Sequence, residues 1–119
     1  MSKIESFEDL LVWQESMNLV KDINKSLNFN KYNPLINQIF KSAISIPSNI
    51  AEGFERQTNK EYIQFLYIAK GSSGELRTQL QIASDIGKLT ISEASDYKNK
   101  TKVISSMLYK LIQTRKENF

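Results

Sequence analysis

Ser45-Ile46-Pro47-Ser48-Asn49-Ile50-Ala51-Glu52-Gly53-Phe54-Glu55-Arg56 decides how this chain folds. A proline stands inside an apolar helical pattern that keeps its phase on both sides. Ile39, Ala43, Ile46 and Ile50 recur at steps of three and four, and Phe40, Ile44, Pro47, Ala51 and Phe54 form the row beside them. The two rows cover roughly half of a helix circumference, more than one neighbouring helix hides. A third row, Gln38, Ser42, Ser45, Asn49, Glu52 and Arg56, is polar yet almost uncharged, where a plain solvent face carries lysine and glutamate. The spacing predicts one continuous helix from about Pro34 to Glu55, kinked at Pro47 and the most buried of its set. Pro47 has no amide for the Ala43 carbonyl and crowds it, a cost of about 3 kcal/mol in an unsupported interior.

Three further helices surround it. The first is predicted over Phe7 to Leu27, with Ser6 as N-cap, Asp9 at the third position, and a stripe of Leu10, Trp13, Met17, Val20 and Leu27 widened by Phe7, Leu11 and Ile23. Asn28 to Pro34 is a turn, and Pro34 suits the first turn of the next helix. The third helix opens on Thr58-Asn59-Lys60-Glu61, a capping box with Glu61 reaching back. Tyr62, Phe65, Leu66, Ala69, Ser73, Leu76, Leu80 and Ala83 follow at helical spacing, and Gly87 suits the position after the end. Gly71 and Gly74 inside that pattern each cost about 1 kcal/mol relative to alanine; close approach of another backbone, or a local loosening, explains them. The fourth helix starts at Thr90 or Ser92, with a stripe of Tyr97, Thr101, Ile104, Leu108, Leu111 and Arg115. Short connections make sequence neighbours antiparallel. The expected fold is all-α, an up-down-up-down four-helix bundle forming one domain over residues 1–119.

Composition removes whole classes of chemistry. With no cysteine there is no disulfide or thiol, and with no histidine the commonest metal ligand and neutral-pH base are missing. Di-iron and haem bundles fall with histidine, and no cofactor is expected. No apolar run approaches the ~20 residues that span a bilayer, and no signal peptide shows, so the expected location is cytoplasmic, without a membrane partner. Glu52, Glu55, Glu61 and Glu75 lack a motif that would make an acid–base pair of any two, and structural use is the plainer reading. Ser72-Ser73 lacks a base. Gly71-Ser72-Ser73-Gly74 lacks the terminal Gly-Lys-Ser/Thr of a phosphate loop. The chain is therefore not expected to be an enzyme.

Charge is the remaining signal. The net charge is +3, with 16 Lys and Arg against 13 Asp and Glu, and residues 81–119 hold seven basic against four acidic side chains. Lys98, Lys102, Lys110 and Lys116 lie on the fourth helix, with Lys100 on another of its faces, and Lys60, Lys70, Arg77 and Lys88 on or near the third. A solvated face and a phosphate-binding face are both open readings, and oligomerisation would multiply the field of the second.

The chain resembles a known family in Phe7-Glu8-Asp9-Leu10-Leu11-Val12-Trp13-Gln14, in Gln38-Ile39, in the Ser45 to Gly53 stretch, and in Tyr62 to Leu66, Ala69, Gly71-Ser72 and Glu75 to Leu80. It is similar there to the bacterial four-helix-bundle proteins called 23S rRNA-intervening-sequence proteins. The resemblance implies a bundle that assembles into a homo-oligomer, a pentameric ring. Related proteins are accessory factors to reverse transcriptases of diversity-generating retroelements, and they bind nucleic acid. Gln38, Ser45, Pro47, Asn49, Glu52, Gly53 and Glu75 match the family motif and are taken as structural.

Two functions stand against each other on these grounds. The first is a self-associating bundle that contacts RNA or another nucleic acid through phosphate charge, with Arg56, Lys60, Lys70, Arg77, Lys98 and Lys102 as candidate contacts. The second is an interaction module whose broad apolar faces dock a partner protein.

Overall fold

The computed structural model describes residues 3–119. A single 3-10 turn, Phe7–Asp9, precedes four helices: α1 (Leu11–Leu27), α2 (Pro34–Phe54), α3 (Asn59–Asp85) and α4 (Ile91–Asn118). They form an antiparallel bundle of 45 × 25 × 23 Å. Each helix packs on its sequence neighbours, α4 closes back on α1, and the diagonal pairs stay apart. The α2–α3 and α3–α4 seams are the closest, and α1 sits further out.

α2 runs unbroken through Pro47, which is itself buried. Ile46 and Ile50 are 1% and 0% exposed, so the apolar surface removed from water there offsets the amide that the proline lacks. Eight of the 21 residues of α2 are buried, against six of the 28 of α4. The polar third row faces α3. Ser42 donates to the Glu75 carboxylate at 2.9 Å, and the Ser45 and Ser72 hydroxyls bond to each other at 2.8 Å. Asn49 donates to the Ser45 carbonyl and hydroxyl at 2.8 and 2.9 Å, while Gln38 at the start of the row is exposed. At the other end α3 presses on Gly53, where a Cβ would lie 2.8 Å from Phe65 Cβ and 3.2 Å from the Tyr62 carbonyl oxygen. That closeness makes glycine necessary there.

The helix ends follow local chemistry. Asn33 accepts from the Leu35 and Ile36 amides at 2.9 and 3.2 Å ahead of Pro34. Thr90 and Glu93 form a reciprocal capping box, with 2.9 and 3.0 Å bonds. Gly87, at φ +80°, stops α3, with the Lys88 amide returning to the Ala83 carbonyl at 2.8 Å. Thr58 caps α3, accepting from the Glu61 amide at 3.1 Å. Glu61 does not reach back to the Thr58 amide as expected. Its carboxylate takes the Thr58 hydroxyl and the Arg56 guanidinium, at 3.0 Å each.

Three more expectations change. The first helix is not continuous from Phe7, because the chain extends at Leu10 and α1 begins at Leu11. The Asp9 carboxylate folds back on the Glu5 and Ser6 amides, which hold it below its usual pKa, and Phe7 turns onto the edge of Trp13, 5.5 Å between ring centroids. The buried row of α1 is Val12, Ser16, Leu19, Ile23 and Leu27, and Leu10, Trp13, Met17 and Val20 are only half-buried beside it. A serine could take a core position because its hydroxyl donates to the Trp13 carbonyl at 2.8 Å. Ser73 and Thr101 are buried on the same terms, donating to the Lys70 and Lys98 carbonyls at 2.6 Å. Last, among the described residues nothing outside α3's own adjoining turns lies within 4 Å of a Cβ at Gly71 or Gly74, so no neighbouring helix approaches them there.

Candidate nucleic-acid interface

The core rows of α3 and α4 turn a second, polar stripe of each helix toward the seam between them. On α4 this stripe is Lys98, Asn99, Lys102, Ser105, Ser106, Tyr109 and Lys110, one step round from the buried Tyr97, Thr101, Ile104 and Leu108. On α3 it is Lys70, Arg77 and Gln81. Because the helices are antiparallel, Lys70 stands beside Lys110, Arg77 beside Lys102, and Gln81 beside Lys98, whose ammonium donates to the Gln81 amide oxygen. Lys70, Arg77, Lys102, Ser105, Ser106, Tyr109 and Lys110 enclose a trough of about 710 Å³. Arg77 and Lys102 also line the adjoining hollow toward Lys98, so the two are continuous. With a rise of 1.5 Å per residue, Lys98 to Lys110 spans about 18 Å.

Among the described residues, no carboxylate lines either part of the trough, and Lys70, Arg77, Lys102 and Lys110 form no ion pair. Uncompensated cations at this spacing make a local positive potential larger than the net charge suggests. The opposite flank of α4 behaves differently. Lys100 bonds to the Asp22 and Asp96 carboxylates at 3.1 Å each, and these hold its ammonium charged to a higher pH than usual. Glu15 lies on that flank as well.

Four of the six candidate contacts, Lys70, Arg77, Lys98 and Lys102, therefore share one site. Arg56 and Lys60 do not join it. Arg56 pairs with Glu61 at 3.0 Å and Glu52 at 3.7 Å, and lies 5.1 Å from the Phe65 ring centroid. Thr58 first and Arg56 second hold the Glu61 carboxyl below its usual range. Lys60 is exposed in the first turn of α3 and lines neither part of the trough. Lys110, Ser105, Ser106 and Tyr109 belong to the site and were not among the candidates, although steps of three and four from Lys98 and Lys102 lead to each of them.

The remaining aromatic and acidic groups are otherwise engaged. Tyr97 is buried, donating to the Asp22 carbonyl at 3.0 Å. Tyr62 is buried beneath Phe54 and Arg115, and desolvation raises its pKa. Among the described residues no group of three or more Asp or Glu is placed to hold a metal ion, and no helix is long and apolar enough to cross a membrane.

The family model for the 23S rRNA-intervening sequence protein matches residues 8–110, a span that takes in α1 to α3, most of α4 and the whole trough. The chain belongs to this family. Within the Ser45 to Gly53 stretch, Ser45 bonds to Ser72 across the α2–α3 seam. The trough lies on the opposite edge of α3. A solved structure from Bacteroides thetaiotaomicron, described as a protein with unknown function from the S23 ribosomal protein family, superposes with a TM-score of 0.79 at 25% identity, covering 87% of this chain and 96% of that one. No curated protein matches the sequence.

Proposed function

We propose that this protein is a non-enzymatic RNA-binding protein that holds phosphate groups in the α3–α4 trough. One observation carries the reading: Lys70, Arg77, Lys102 and Lys110 line a single trough in which no carboxylate answers them. Lysine ammonium and arginine guanidinium groups recognise phosphate as charge and as hydrogen-bond acceptor, whatever the base sequence. Each phosphate contact releases condensed counterions, so affinity falls linearly with salt on a logarithmic scale, by roughly 0.7–0.9 per contact. Titration of a structured RNA from ~50 mM to ~200 mM salt is expected to give a slope of about −2.8 to −3.6, as the four trough cations demand. Absence of binding at ~50 mM salt removes the proposal.

A second surface favours self-association. Trp13, Met17, Val20, Ile44, Pro47, Ser48 and Ala51 line a shallow hollow between α1 and α2, all but Ser48 apolar, with Leu11 exposed on the same helix as Trp13. A second copy of this chain covering that face would complete the burial of the outer row of α2. A closed ring, the pentamer included, would repeat the basic trough around its perimeter. Light scattering at micromolar concentration is expected to return a multiple of the 13.7 kDa chain mass; the mass of one chain would sink this reading and leave the trough untouched.

A further inference from the structure

We infer that the α3–α4 trough takes an unpaired strand rather than a duplex, with a base stacked on Tyr109. The inference rests on the phosphate reading above and narrows it. Lys70, Arg77 and Lys98, partly exposed, and Lys102 and Lys110, exposed, line one open seam along about 18 Å of α4. A flexible single strand bends to bring successive phosphates to all five, whereas the phosphates of a duplex are held at fixed positions.

The ring supplies the second half of the inference. Tyr109 lines the trough beside Lys110 and two turns on from Lys102, and is 55% exposed, so one face is open to the channel. The other tyrosines do not offer the same platform. Tyr62 and Tyr97 are buried, Tyr32 lies in the α1–α2 connection, and Lys116 sits on Tyr67, 5.0 Å from its centroid and 2.6 Å from its hydroxyl. In a duplex the base faces are hidden in the stack; in a single strand they are free to lie on an aromatic ring, while neighbouring cations track the backbone. The Ser105 and Ser106 hydroxyls in the same wall suit phosphate or ribose oxygens.

Fluorescence anisotropy at one fixed salt concentration, with the full chain and three 12-nucleotide probes, tests this. The probes are a single-stranded uridine–adenosine RNA, its duplex with the complement, and an abasic strand of the same charge. The single strand should bind at least tenfold more tightly than the other two. Tyr109→Leu should weaken only the single strand, by about five- to a hundredfold, the range for removing one stacked base, and Tyr109→Phe should restore it. An unchanged thermal melt shows that the leucine variant is folded. Equal or tighter binding of the duplex, equal binding of the abasic strand, or no effect of Tyr109→Leu overturns the inference while the phosphate reading stands. Failure of all three probes overturns both.

Discussion

The double variant Arg77→Glu/Lys102→Glu will lose RNA affinity by a factor of a few hundred at low salt. Arg77 and Lys102 form the central rung, since both line each part of the trough. Removing two cations from the phosphates and setting two carboxylates in their place costs about 3–4 kcal/mol in all, taking roughly 1 kcal/mol for each attraction removed and each repulsion added at the surface. The salt dependence should flatten as well, by about 1.4–1.8 in slope for two phosphates. Neither side chain makes an ion pair among the described residues, so stability should stay within about 0.5 kcal/mol, and the weaker binding cannot be put down to unfolding. The double variant Arg56→Glu/Lys60→Glu is the matched control. It makes the same change in net charge outside the trough and should move affinity less than threefold. Isothermal titration of the three proteins against one RNA decides the matter. A comparable drop in the control would mean that overall charge binds RNA and the trough has no special part.

That contrast between Arg77 and Arg56 shows what a sequence exposes and what it hides. All six candidate cations are visible as letters, and Glu52, four residues before Arg56, already marks a partner that could quench it. Which cations share a site depends on the rotation of α3 against α4, and rotation is a property of packing. The α3 core row was legible from Tyr62 to Ala83 because its apolar residues repeat without competition, with only Phe65 left half-buried. The Thr90–Glu93 box and the Gly87 stop were legible for a different reason: their bonds close within a few residues. α1 carries two apolar rows of similar strength, and hydrophobicity alone cannot rank them when the truly buried row contains a serine. Ser16 solves its own hydrogen bond against Trp13 and leaves no trace of burial in its polarity. Gly71 and Gly74 are a related case. A glycine in a helix announces a missing side chain, and the structure places open space there instead of the expected neighbouring backbone.

Ile50→Ala is expected to be the most damaging single truncation in α2, lowering stability by about 2–5 kcal/mol. Ile50 is 0% exposed and lies one turn before Gly53. At Gly53 the helices already meet, with room for no Cβ against Phe65. α2 therefore cannot slide toward α3 to fill the space that the substitution opens, and the cavity term is felt in full. Pro47, one turn earlier, has no amide bond to hold the helix when packing loosens. For a domain of this size the whole folding stability is about 5–15 kcal/mol, so the melting temperature should fall on the order of 10 °C or more. Ile68→Ala, on α3 and 49% exposed, removes the same atoms and should cost less than about 1 kcal/mol, because water already reaches much of that side chain. Urea denaturation of both variants measures the difference directly. If the two substitutions cost the same, α2 is not the buried partner of α3, and the packing that sets α3 against α4 and opens the basic trough loses its foundation.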